Sequence, residues 1–141
     1  MSKRVYVASP FFNDAEMKPL LEVENILRER GLIVYTPREH GDPAYTFGTA
    51  AWSLHAFEED RKHIDASDLM VMVYHDAYSD TGTAWECGYA FGTHKPVIVV
   101  HVGPTSNIMV HEGSHANVTI EELKTYDFDL LPSKRYEGQM R

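Results

Sequence analysis

The densest group of chemically capable side chains is His75-Asp-Ala-Tyr-Ser-Asp-Thr-Gly-Thr-Ala-Trp-Glu86. It follows an apolar run and opens a stretch of helical character, where an α/β fold presents its ligands. Glu86 is placed in the first turn of that helix, where the dipole favours an ionised carboxylate. An ionised carboxylate is what a glycosyl-accepting nucleophile needs. The plainer reading is structural: Thr83-x-x-Glu86 has the spacing of a capping box, and Asp80 or Thr81 could be the cap itself. A second carboxylate, Asp60, falls roughly 60° from Phe57 on a helix and close to Ile64, at the edge of an apolar stripe. Partial desolvation there raises a carboxyl pKa and suits a general acid. The alternative is a solvated aspartate among Glu58, Glu59 and Arg61. Tyr6, inside the first apolar run, is either a core tyrosine or a hydroxyl that orients a carboxylate. One carboxylate attacking an anomeric carbon and another protonating the leaving group would constitute a retaining glycosyl transfer.

Other motifs carry less. His111-Glu-Gly-Ser-His115 matches H-E-x-x-H, but the zinc reading needs a helix with both imidazoles on one face. Gly113 and Ser114 are poor interior helix residues, so a loop over the site or at a subunit contact is the alternative. Cys87 reads as a small buried hydrophobe rather than a nucleophile. Ala84, Gly88 and Gly92 recur every four residues and predict close approach of their helix to a sheet. The sequence has no P-loop and no G-x-G-x-x-G, which speaks against a nucleoside triphosphate or dinucleotide cofactor.

The elements that position these residues follow from patterning. Val5–Ala8, Leu32–Tyr35, Leu69–Tyr74 and Val97–Val102 are nearly continuous in hydrophobicity, as expected of parallel strands covered on both faces. A first helix opens at Asn13 and ends near Arg30, with Gly31 as its C′ residue. Pro19 marks either a later start or a kink. A second helix is predicted from about Thr49 to Ala66, with Ala50, Leu54, Phe57 and Ile64 on its buried face. A third is predicted from about Thr83 to Thr93, and a short one at Thr119–Lys124. The order β-α-β-α-β-α-β plus a polar tail implies one doubly wound, flavodoxin- or Rossmann-like α/β domain over residues 1–141, with a central parallel sheet flanked by helices.

Composition narrows the function classes. A chain of 141 residues is one domain's worth, and 43% hydrophobic with 24% charged residues is a globular composition. A net charge of −8 argues against a nucleic-acid polymer or an anionic membrane as partner. The lone Cys87 excludes an internal disulfide. Met1–Phe12 has no long apolar stretch, so a signal peptide is not expected and the cytoplasm is.

Two segments resemble a known family. Val5-Tyr-Val-Ala-Ser-Pro-Phe-Phe-Asn-Asp14 and Asp80-Thr-Gly-Thr-Ala-Trp-Glu-Cys-Gly-Tyr-Ala90 are similar to the nucleoside 2-deoxyribosyltransferases. The most specific part is the pattern Asp80-x-Gly82-x-x-x-Glu86-x-Gly88. The resemblance implies cleavage of the N-glycosidic bond of a 2′-deoxynucleoside, with the sugar held on Glu86 and passed to another purine or pyrimidine base with retention. It implies that Tyr6 positions Glu86, that Asp60 protonates the leaving base, and that Asp80 holds the 5′-hydroxyl. It further implies that Asn107 reaches into a neighbouring subunit's site in a homo-oligomer. Phe11 or Phe12 would stack on the base, and Ser9 and Gly82 would lie against the substrate. No metal or organic cofactor is called for. The competing activity is hydrolysis of 2′-deoxynucleoside 5′-monophosphates. Asp80 disfavours it, since two like charges at 4 Å cost roughly 4 kcal/mol at an intermediate dielectric, although Ser9 and Ser79 could serve a phosphate. A non-catalytic nucleoside-binding module would not need Glu86, Asp60 and Tyr6 together.

Overall fold

The computed structural model describes residues 2–76, 78 and 80–141, and Ser79 therefore lies outside the described residues. Five parallel strands form the central sheet: β1 (Arg4–Ala8), β2 (Ile33–Tyr35), β3 (Leu69–Tyr74), β4 (Val97–His101) and β6 (Ala116–Val118), in the order β2-β1-β3-β4-β6. Two-residue β5 (Thr105–Ser106) pairs with β7 (Gln139–Met140) in a separate small sheet. The helices are α1 (Asp14–Glu29), α2 (Ala50–Ala66), α3 (Thr81–Gly92), α4 (Ile108–Glu112) and α5 (Ile120–Leu123).

Alternate residues of each strand point to opposite faces, and both faces are covered. Val5, Val7, Leu69, Val71, Val73, Ile98 and Val100 pack with Leu20, Val23 and Leu27 of α1 and with Leu123 of α5. Tyr6, Ala8, Met70, Met72, Tyr74, Val97 and Val99 form the second core with Ile64 of α2 and Cys87 and Ala90 of α3. The continuous hydrophobicity of the strands is thus the sum of two alternating patterns.

Local signals set the helix starts. Asn13 accepts from Glu16 N at 3.0 Å and Thr49 from Trp52 N at 3.2 Å, each capping its helix. Gly31 follows α1 at φ +80°, the left-handed conformation glycine adopts freely. The structure corrects several expectations. Helix α1 begins at Asp14 and runs through Pro19, so Pro19 is not a first helical residue. The fifth sheet strand, β6, is too short and too polar at Asn117 to register as an apolar run. In α2 only Ile64 is buried; Leu54 is 64% and Phe57 45% exposed. Gly88 and Gly92 face solvent, with no atom near where a Cβ would sit, so they do not seat α3 on the sheet.

Candidate active site

Helix α3 starts two residues earlier than the sequence pattern predicts. Asp80 is its N-cap: Oδ2 accepts from Thr83 N at 2.8 Å and from Thr83 Oγ1 at 2.5 Å. Asp80-x-x-Thr83 therefore takes the role that the pattern assigned to Thr83-x-x-Glu86. Glu86 moves to the second turn, deeper over the sheet, where burial is the largest influence on its ionisation.

At that depth Glu86 meets β1. The Tyr6 hydroxyl, on a fully buried side chain, donates to Glu86 Oε2. Burial pushes the Glu86 carboxyl up to about 8; the Tyr6 bond opposes this, while the charges of Asp60 and Asp80 reinforce it. The Tyr6 hydroxyl is driven far above its ordinary value by burial and by the negative charges of Glu86 and Asp60, so it remains a donor. Asp60, partly buried on α2, is raised to about 6, chiefly by desolvation, with His63 opposing and Glu59 adding to the shift. The chain thus brings Tyr6, Asp60 and Glu86 together between α2, α3 and β1, with Asp80 close enough to Glu86 for its charge to be felt.

The other predicted residues are distributed around this centre. Ser9 is buried and its hydroxyl donates to Pro10 O at 2.9 Å, a bond within its own loop. Phe11 and Phe12 lie in the loop after β1 with their rings stacked, 5.2 Å between centroids, and Phe12 is 74% exposed. Gly82 is the second residue of α3, and a Cβ there would make only an ordinary contact with Asp80. Asn107 caps α4, accepting from Met109 N at 2.8 Å, and its own N–H donates to the Tyr74 hydroxyl at 3.1 Å. Asp80, Pro10, His75 and Thr83 line one crevice beside β3.

H-E-x-x-H does not form the helix a zinc site would require. Helix α4 ends at Glu112; His111 Nδ1 lies 2.9 Å from Ser106 Oγ and His115 Nε2 lies 2.6 Å from Leu131 O. The two imidazoles serve different partners. Cys87 is buried, and burial holds its thiol up at about 11.

Two features escaped sequence reasoning. Tyr35 stands opposite Tyr6 in the β1–β2 register and stacks on it at 5.5 Å. Tyr35 also stacks on His63 at 3.8 Å and on His40 at 4.4 Å, forming a ring column beside Asp60. The only available signal was a pair of tyrosines in neighbouring apolar runs. The tail is the second: Arg141 N donates to Ser106 O at 3.0 Å and its guanidinium bonds Asp76 O, so the chain's end returns to the loop after β3.

Doubly wound α/β sheets of this order bind ligands at the crevice beside the first and third strands, and the Glu86–Asp60 carboxylate pair lies at that end of the fold. Residues 5–123 match the nucleoside 2-deoxyribosyltransferase family, and the chain belongs to that family. A nucleoside deoxyribosyltransferase of Limosilactobacillus fermentum is 25% identical over 107 residues, covering 69% of this chain. The match spans 64% of that relative's length. The solved structure of the 2-deoxyribosyltransferase from the psychrotolerant bacterium Bacillus psychrosaccharolyticus is similar with a TM-score of 0.89 and 37% identity, over 94% of this chain and 98% of that one. The 2-desoxiribosyltransferase of Leishmania mexicana has a TM-score of 0.58 at 18% identity, over 99% of this chain and 83% of that one, and shares the fold.

Proposed function

We propose that this chain is a nucleoside 2-deoxyribosyltransferase, transferring 2-deoxyribose between purine or pyrimidine bases with retention, and that residues 1–141 act as one domain. The observation that carries the reading is the Tyr6–Glu86 hydrogen bond beside a raised Asp60. In the first half-reaction the Glu86 carboxylate attacks C1′ and the C1′–N bond breaks. Its electron pair goes to the base nitrogen, which takes the Asp60 proton. In the second, the acceptor base attacks C1′, Glu86 leaves as carboxylate, and Asp60 recovers a proton from the incoming nitrogen. Two inversions give retention. The missing 2′-hydroxyl of a deoxynucleoside lowers the cost of the cation-like transition state, so no metal or organic cofactor is required. Tyr6 holds one carboxylate oxygen, leaving the other for attack.

Asp80 would hold the 5′-hydroxyl, with Gly82 and Ser9 near the sugar and Phe11 or Phe12 against the base. Its negative charge favours free nucleosides over monophosphates. We further propose a homo-oligomer. Leu54, Phe57 and Trp85 leave a contiguous apolar surface over α2 and α3, with Phe57 and Trp85 rings 5.2 Å apart, and Asn107 would serve a neighbouring site. No described helix is long and apolar enough to cross a membrane, and we place the protein in the cytoplasm. The intermediate is tested by mass spectrometry of acid-quenched enzyme after mixing with deoxyinosine. A deoxyribosyl ester on the peptide containing Glu86 supports the reading; turnover with no ester on that peptide contradicts it.

A further inference from the structure

Glu16 is 3% exposed, yet carries a carboxylate. Among the described residues no lysine or arginine pairs with it. Its hydrogen-bond partners are neutral: the Phe12 N–H, 2.7 Å from Oε1, and the Tyr78 hydroxyl on Oε2. A buried carboxylate without a cation is costly unless its oxygens are well bonded, and these two donors supply one bond to each oxygen. They come from different loops. Phe12 belongs to the loop after β1, and Tyr78 to the loop after β3. β1 and β3 are neighbours in the sheet, and their loops rim the crevice between them. The Tyr78 ring stacks on His75 with centroids 5.8 Å apart and an interplanar angle of 16°. His75 lines that crevice together with Asp80, and Tyr78 stands two residues before Asp80.

We propose that Glu16 is a positioning residue that, by holding Tyr78 against His75, keeps the crevice that His75 and Asp80 line in the shape in which Asp80 grips the 5′-hydroxyl of the substrate. The proposal rests on the deoxyribosyl-transfer reading and on the role given there to Asp80. Glu16 touches no substrate; it acts through Tyr78. Phe12 and Tyr78 are joined through one buried side chain, so loosening one hydrogen bond frees the sugar end of the site while leaving Glu86, Asp60 and Tyr6 in place.

The test is Tyr78→Phe, which removes one hydroxyl from a half-exposed ring and so leaves the fold intact. Glu16→Gln, at a buried position, is the companion variant. Steady-state exchange is measured with deoxyinosine as donor, and 2′,5′-dideoxyinosine is measured as a competitor, whose inhibition constant reads binding without the 5′-hydroxyl. The expected result for both variants is a rise in KM for deoxyinosine, about tenfold for Tyr78→Phe, the equivalent of one net hydrogen bond. The value of kcat stays within about twofold and the inhibition constant of the dideoxynucleoside is unchanged. An equal weakening for both compounds, a fall in kcat with KM unchanged, or no change for either overturns the proposal. Absence of exchange by the unaltered enzyme overturns the transferase reading itself, and the proposal with it.

Discussion

Burial raises both Glu86 and Asp60, and their ionisations are ordered against the roles proposed for them. Glu86 sits at about 8 and Asp60 at about 6, so near neutrality the pair's single proton resides mostly on Glu86. The proposed reacting form has it on Asp60 and is the minor of the two singly protonated forms. The pair titrates as a unit. kcat/KM should therefore be bell-shaped, with limbs near 6 and 8. Asp60→Asn should lower it by about 10²–10⁴ and abolish the alkaline limb, since ionised Glu86 is then the only requirement. An alkaline limb that persists in Asp60→Asn would assign it to another group. Stability follows from the same shift. The Glu86 pKa is raised above its unfolded value, so its contribution is fully present below about 4.5 and lost as pH rises through about 8. The cost is at most about 1.4 kcal/mol per pH unit in that window. Glu86→Gln should therefore lose exchange while its melting temperature gains on the unaltered protein between those pH values. A difference that does not vary with pH would remove desolvation of Glu86 as the cause.

At the scale of elements, the N-cap of α3 decides where Glu86 lies. Asp80→Ala should cost about 1 kcal/mol of stability through the lost cap. Asp80→Asn, which can still accept from Thr83 N, should remain near the parent in thermal melts. If the two melt alike, the cap is not contributing. Four of the five sheet strands were legible because both of their faces are apolar, while short β6 with its Asn117 was not; α1 and α2 were legible because Asn13 and Thr49 are strong caps. The start of α3 was not, because Asp80-x-x-Thr83 and Thr83-x-x-Glu86 offer overlapping caps three residues apart. The types of Glu86, Asp60 and Tyr6 could be read from local spacing. Their meeting could not, since it depends on the β1–β3 pairing that sets Tyr6 beneath α3. Glu16 and Tyr78, 62 residues apart, left no pattern at all.

For the molecule as a whole, the misread face of α2 is the informative error. Leu54 and Phe57 carry the helical spacing of a buried face, yet among the described residues nothing covers them fully. A second copy would supply that cover. Phe57→Glu combined with Leu54→Glu should then yield a smaller species in sedimentation velocity, and exchange should fall if Asn107 completes a neighbouring site. An unchanged sedimentation coefficient would place the contact elsewhere. The central claim concerns the reaction. Deoxyinosine is incubated with the enzyme, with and without cytosine, and the products are separated by chromatography. The account predicts deoxycytidine in the complete mixture only, and none with Glu86→Gln. Hypoxanthine released equally in both tubes without deoxycytidine, or deoxycytidine formed by Glu86→Gln, would contradict it.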